Sequence, residues 1–285
     1  MVSMTERISG FQRAGLTFPV VDTGPIDGEI VVLLHGFPQT PTSWEATAAA
    51  LHERGYRTVI PWQRGYSATA KPQRRYDYRS AELVADIAEL LRITGPAHLV
   101  GHDWGAAVAW QTAAEHPASV RTLTTVSVPH PLAFLRSMAS SNQALLSYYM
   151  LLFQIPVLPE LLAARRPDLF SKFLARAGMP EEAQAVVLDE IVTPGLLGGG
   201  LNWYRGMPFV GTRPPSAKVT SPTTHIWSSG DVALARRGAE LTEDYVQAPF
   251  RLIVLDGVSH WIPDERPDEL AEIIVENATA HPADG

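Results

Sequence analysis

The apolar positions fall first into short unbroken runs and then into helical spacings. Ile30-Val31-Val32-Leu33-Leu34 predicts a strand buried on both faces. A helix is expected over Pro41–Arg54, with Thr42 or Ser43 as its N-cap and Gly55 as its stop. Thr58-Val59-Ile60 reads as the next strand. Leu83, Val84, Ile87, Leu90 and Leu91 fall on one face of a helix over Ser80–Ile93. A strand at Ala97–Val100, a helix at Ala106–Glu115 and a strand at Val120–Val126 complete the first half. Strict alternation of this kind implies parallel strands joined by right-handed helical crossovers. Ahead of it, Phe11–Asp22 and the turn Thr23–Gly28 read as an antiparallel hairpin entering the same sheet.

From Pro129 to about Pro222 the pattern changes. Helical spacing dominates, prolines are frequent, and Gly198-Gly199-Gly200 is read as an interruption. Alternation then resumes with a strand at Thr223–Trp227, a helix at Arg236–Val246, a strand at Phe250–Leu255 and a helix at Pro267–Ala278. The expected architecture is an α/β core, residues 1–130 and 221–285, split by a helical insertion over residues 131–220. The apolar stretch Ala144–Ala164 is long enough to span a bilayer. Gln154, Pro156, Pro159 and Glu160 interrupt it, so it is read as buried or pocket-lining rather than membrane-spanning.

Composition narrows the function classes. With 285 residues, 46% of them apolar, the chain can build a full core, and only the polar ends Met1–Ser9 and His281–Gly285 read as disorder-prone. The net charge of -7 argues against nucleic acid as a partner. The absence of cysteine excludes disulfides, thiolate metal sites and a cysteine nucleophile. Met1–Arg7 carries no apolar run, so no secretory signal is expected and a cytoplasmic location is the default.

The chemistry begins at Gly101-His102-Asp103-Trp104-Gly105, between a strand and a helix. It has the G-x-nucleophile-x-G form, in which the flanking positions must be small and the central residue is held in a strained turn above the sheet. The helix N-terminus beneath favours an ionised carboxylate. Capping that helix is the alternative role for Asp103. No G-x-S-x-G occurs, which disfavours a serine esterase or peptidase. A carboxylate attacking an alkyl carbon forms an ester that must then be hydrolysed, which suits epoxide opening or halide displacement.

His260 follows the strand Phe250–Leu255, and Asp231 follows Thr223–Trp227, so both fall at the carboxyl edge of the sheet with Asp103. The order nucleophile, acid, histidine makes His260 the base for water and Asp231 its orienting acid. Asp256 is the rival acid, but it lies very close to the histidine in sequence. His35-Gly36-Phe37-Pro38 follows the first buried strand. The backbone N–H groups of Phe37 and Trp104 are candidates for an oxyanion hole.

These residues resemble the α/β-hydrolase family, and within it the epoxide hydrolases. The motifs are His35–Pro38, Arg64-Gly65-Tyr66-Ser67, Gly101–Gly105, Val128-Pro129-His130-Pro131 and Gly257–Trp261. The resemblance implies an α/β-hydrolase fold, a mostly parallel eight-stranded sheet with an inserted helical cap, and no cofactor or metal. It also implies two cap tyrosines that donate to the epoxide oxygen. One is Tyr149, ahead of Phe153-Gln154, with Tyr148 as its neighbour in register. The other is Tyr204, in Asn202-Trp203-Tyr204-Arg205. Phe37, Trp104, Phe153 and Trp261 are expected to contact a small, largely apolar epoxide, as the residues Met150–Phe153 also suggest. Two departures mark a divergent member. Trp62 stands where the family usually has Asp, and Ser228-Ser229-Gly230-Asp231 lacks the usual extra acid.

Haloalkane dehalogenases share the aspartate, acid and histidine. They hold halide with an indole after the nucleophile, for which Trp104 would serve, and with a second donor where this chain has Phe37. Fluoroacetate dehalogenases place Arg where Trp104 stands. A ligand-binding protein without turnover is the reading from a different class. Oligomeric state, including a homodimer, is left open by the sequence.

Overall fold

The computed structural model describes residues 6–209 and 218–281. Met1–Thr5 and Pro282–Gly285, from the ends read as disorder-prone, lie outside the described residues, as does 210–217 within the expected insertion.

Eight strands form one sheet: β1 (Gly10–Arg13), β2 (Leu16–Thr23), β3 (Ile30–Leu34), β4 (Arg57–Pro61), β5 (Ala97–His102), β6 (Val120–Val126), β7 (Thr223–Ser228) and β8 (Phe250–Leu255). Their spatial order is β1-β2-β4-β3-β5-β6-β7-β8, and every pairing from β4 onward in that order is parallel. Strands β3, β4 and β5 are buried at every position, as unbroken apolar runs in a sheet covered on both faces should be.

Helices α1 (Glu45–Glu53), α2 (Ser80–Thr94) and α3 (Trp104–Glu115) connect the first strands. Between β6 and β7 lie α4 (Pro131–Ser140), α5 (Gln143–Leu146), α6 (Tyr148–Phe153), α7 (Leu158–Arg165), α8 (Pro167–Arg176), α9 (Glu181–Val187) and α10 (Leu197–Gly206). After β7 come α11 (Arg236–Leu241), α12 (Ile262–Glu265) and α13 (Pro267–Ala280). The stretch 144–164 is broken into α5, α6 and α7, and no helix among the described residues is long and apolar enough to cross a membrane. The expected burial holds only in part: Phe153 and Ala163 are buried and Leu146, Tyr149 and Met150 line cavities, but Leu151, Leu152, Leu161 and Leu162 are exposed, because these short helices each turn one apolar flank away from the core.

Several local expectations need correction. The hairpin turn is Ala14-Gly15, both at positive φ, while Thr23–Gly28 merely leads from β2 to β3. Strand β2 pairs antiparallel with β4 instead. The helix expected from Pro41 opens with a 3-10 turn, Pro41–Trp44, whose cap is Thr40, accepting from the Thr42 N–H at 3.4 Å. Helix α3 begins at Trp104, because the strained turn ends at Asp103. The segment 236–246 is α11 followed by a separate 3-10 turn.

The glycine run does not interrupt a helix but opens α10. A Cβ on Gly199 would lie 1.9 Å from the Gly65 carbonyl oxygen, so the insertion meets the core backbone against backbone there. Helix propensity loses to that close approach.

Side-chain ties reinforce the contact. Trp203 Nε1 donates to the Arg64 carbonyl at 2.7 Å. Arg64 itself is buried and grips Asp86 of α2 through two 2.7 Å hydrogen bonds. On the other flank, Thr40 and Thr42 both donate to Glu190 of the insertion.

Candidate active site

Asp103 occupies a backbone conformation of φ 51°, ψ -123°, strained for a residue with a side chain. Its side chain makes no capping hydrogen bond to α3, so capping does not explain the aspartate. The turn is feasible because its flanks are bare. A Cβ on Gly101 would lie 2.3 Å from the Gly105 carbonyl oxygen, and one on Gly105 would lie 2.2 Å from that of Leu34. Gly36 is equally constrained, since a Cβ there would lie 2.3 Å from Asp103 Cβ.

The carboxylate oxygens of Asp103 face different partners. Oδ1 accepts from the Phe37 backbone N–H at 2.7 Å. Oδ2 lies 3.4 Å from His260 Nε2, within ion-pair reach but longer than a tight hydrogen bond. Burial works against the charge on Asp103. The His260 hydrogen bond and charge, His102 and the Trp104 backbone N–H outweigh it and hold the carboxyl below its usual range.

His260 Nδ1 meets Asp231 Oδ2 at 2.8 Å. The other Asp231 oxygen accepts from the N–H groups of Ala233 and Leu234 at 2.7 and 2.9 Å, which fixes the carboxylate on the loop after β7. Burial alone would lower the His260 pKa. The flanking carboxylates Asp231 and Asp103 reverse that and push it up to about 10.

Two residues absent from the candidate set hold the histidine main chain. His102 Nε2 and Ser127 Oγ both approach the His260 carbonyl oxygen at 2.9 Å. Burial drives His102 down to about 4, so it is neutral and donates from Nε2. Its position inside the elbow motif was the available signal; Ser127 had none. His35, likewise held near 4 by burial, accepts from the Gln63 N–H at 3.3 Å, and Gln63 Nε2 donates to the His35 carbonyl at 2.6 Å. This clamp supports the loop that carries Phe37.

Above these groups lie two adjoining cavities, of about 200 and about 160 Å³. Asp103, Tyr149, Tyr204 and His260 line both. Trp104 belongs to the larger, while Phe37, Phe153 and Trp261 belong to the smaller. Tyr148 reaches only the smaller one and is 60% exposed, so Tyr149 holds the central place. The remaining walls of the larger cavity are mostly apolar, with Met150, Val128 and Leu234 among them.

The Tyr204 ring is boxed by aromatic edges, 5.0 Å from Trp104 and Phe153 and 5.2 Å from Phe37 between centroids. Gln154 Nε2 donates to its backbone carbonyl at 2.8 Å. The neighbouring Arg205 is buried, pairs with Glu160 at 2.6 Å and donates to the carbonyls of Phe153 and Ile155. Helices α6 and α10, one tyrosine on each, are therefore locked together. Burial and the Asp103 charge raise both phenols well above their usual pKa, and the proximity of the two phenols adds to the effect on Tyr204.

Comparison with known proteins places the chain in a family. A family model described as the alpha/beta hydrolase fold matches residues 29–267. The chain belongs to the α/β-hydrolase family. Epoxide hydrolase 3 of Xenopus tropicalis is 34% identical over 92% of this chain and 74% of its own length. Epoxide hydrolase A of Mycobacterium tuberculosis is 30% identical over 98% of each chain. The AB hydrolase superfamily protein YfhM of Bacillus subtilis is 32% identical over 92% of this chain and 94% of its own. Among solved structures, epoxide hydrolase A from Mycobacterium thermoresistibile superposes with a TM-score of 0.83 at 26% identity, covering 95% of this hydrolase and 97% of that chain. The protein is thus an epoxide hydrolase-like α/β-hydrolase.

Proposed function

We propose that this hydrolase opens an epoxide to a vicinal diol through a covalent ester on Asp103. The observation that carries this reading is the shared lining. The elbow carboxylate and two cap tyrosines face the same cavities, so a three-membered ring placed there meets a nucleophile on one side and phenol donors on the other. Residues 131–220 act as the cap that brings those phenols over the core.

In the first step Asp103 Oδ2 attacks an epoxide carbon and the ring C–O bond breaks. Tyr149 and Tyr204 donate to the developing alkoxide; their raised pKa values keep them protonated until then. The proton that neutralises the alkoxide comes from the His260 imidazolium. Esterification removes one of the two negative charges that hold that proton, so His260 emerges as a neutral base. It then takes a proton from water as the hydroxide adds to Asp103 Cγ. The negative charge collects on Oδ1, already against the Phe37 N–H, with the Trp104 N–H as second donor. Collapse expels the diol, which takes its proton from the regenerated carboxyl. Asp103 ends ionised and His260 protonated, as they began.

Halide displacement by the same aspartate is the competing chemistry. Phe37 offers no side-chain N–H to pair with the Trp104 indole around a halide, and the two phenols suit an oxygen leaving group better. The test is a single turnover in isotopically labelled water, with an epoxide panel and a haloalkane panel. Label entering the Asp103 peptide, with diol as product, is the expected result. Label entering the diol with none on Asp103 excludes the ester route, and halide release without diol formation reassigns the substrate class.

A further inference from the structure

The cap carries an apolar surface that the proposed chemistry does not use. Leu145 and Leu151 are 76% and 75% exposed, and Leu152, Val157, Leu158, Leu161 and Leu162 are all exposed as well. They follow one another along the chain through α5, α6, the connecting turn and α7. Soluble proteins seldom leave so many large aliphatic side chains together in water unless something covers them.

The charge within the segment that carries this patch is opposite to that of the whole chain, although Glu181 and Glu182 follow on α9. The protein carries a net -7, yet residues 143–176 hold four cations, Arg165, Arg166, Lys172 and Arg176, against two carboxylates. Both carboxylates are already engaged: Glu160 with the buried Arg205, and Asp168 with Arg166. Arg165, Lys172 and Arg176 make no ion pair among the described residues. The patch is also continuous with the site, because Tyr148 and Arg176, both exposed, line the smaller cavity.

We propose that the α5–α7 face of the cap docks on an anionic lipid surface, so that the smaller cavity opens toward the bilayer. Aliphatic side chains enter the acyl boundary while the arginines and the lysine meet the headgroups. A second copy of this chain fits less well, since like-charged rims would face each other and the cavity mouth would be closed. The use of the docked state, delivery of an apolar epoxide from the bilayer, rests on the function proposed above; the docking itself does not.

The experiment is sedimentation with vesicles of phosphatidylcholine alone and of phosphatidylcholine with an equal part of phosphatidylglycerol. The wild type should co-sediment with the mixed vesicles, weakly with the neutral ones, and lose binding as salt rises. L145E/L151E should lower the partition coefficient roughly tenfold or more. Both positions are exposed and outside the cavities, so turnover of a water-soluble epoxide should be unchanged, and it reports on the active site separately. Failure of the wild type to bind, or equal binding by the variant, overturns the proposal. So does a wild-type dimer in light scattering that the same substitutions dissociate, which would assign the face to self-association.

Discussion

Asp103 Oδ2 stands 3.4 Å from His260 Nε2 while Asp103 Oδ1 is held by the Phe37 N–H, so one carboxylate presents two inequivalent oxygens. One oxygen is free to bond carbon and the other is already seated where an oxyanion would form. On this arrangement, Asp103→Asn should abolish turnover, provided slow hydrolysis of the amide back to Asp is excluded. His260→Gln should still react once, more slowly, with the alkoxide taking its proton from water in place of the imidazolium. Intact-mass measurement should then show one substrate mass added, located by peptide mapping to the elbow. An unmodified His260→Gln protein after exposure to a substrate of the wild type would contradict the role given to the imidazole.

The histidine also fixes a pH dependence. The folded pKa, about 10, lies above the ordinary value of 6.5. Protonation of His260 therefore contributes stability that is fully present below about pH 6.5 and is lost as pH rises through about 10. Chemical denaturation across that window should show stability falling toward alkaline pH, with the slope reduced in His260→Gln. In rapid-mixing kinetics, ester hydrolysis should accelerate with pH around a midpoint below about 10, because the esterified Asp103 no longer stabilises the imidazolium.

Tyr149→Phe and Tyr204→Phe each remove one donor from a site holding both. Each should lower kcat by on the order of 10², the cost typical of losing one oxyanion donor, with a smaller change in KM. The double substitution should nearly halt ring opening while leaving the hydrolysis of a preformed ester intact. Pre-steady-state measurement of the two half-reactions separates these outcomes.

Gly199→Ala tests how the cap is mounted. The added methyl would sit 1.9 Å from the Gly65 carbonyl oxygen, both of them backbone-bound, so helix and loop must part. A loss of about 1–3 kcal/mol is expected, despite the better helix propensity of alanine. Gly195→Ala meets nothing within 4 Å, but its φ of +73° strains a side chain, so it controls for backbone strain without a steric clash. Thermal or urea unfolding checks both.

The core was legible in the sequence because buried parallel strands are written as unbroken apolar runs; Val120–Val126 and Phe250–Leu255 match the observed strands residue for residue. The site geometry was legible at Asp103, His260 and Asp231 because all three follow strands and so share one edge of the sheet. What escaped has a physical reason. The glycines of α10 look like a breaker because propensity is local, whereas their partner, Gly65, is distant in sequence. The β1–β2 turn was misplaced because Thr23–Gly28 is rich in turn formers, and only the pairing of β2 with β4 shows that the chain passes through it without doubling back. The anchoring of the histidine carbonyl by Ser127 depends on a loop crossing that no periodicity records.

Strands β6 and β7 lie side by side, with Leu123 opposite Thr223 and Val126 opposite Ile226, although the whole roof of the site is threaded between them. The sheet therefore closes its register without consulting the excursion. Lengthening such an excursion twofold costs only about 0.6 kcal/mol in closure entropy. A transplanted roof would have to match the two strand ends, the glycine seat at Gly65 and the partners of Arg64, Thr40 and Thr42 to sit over the same reactive floor.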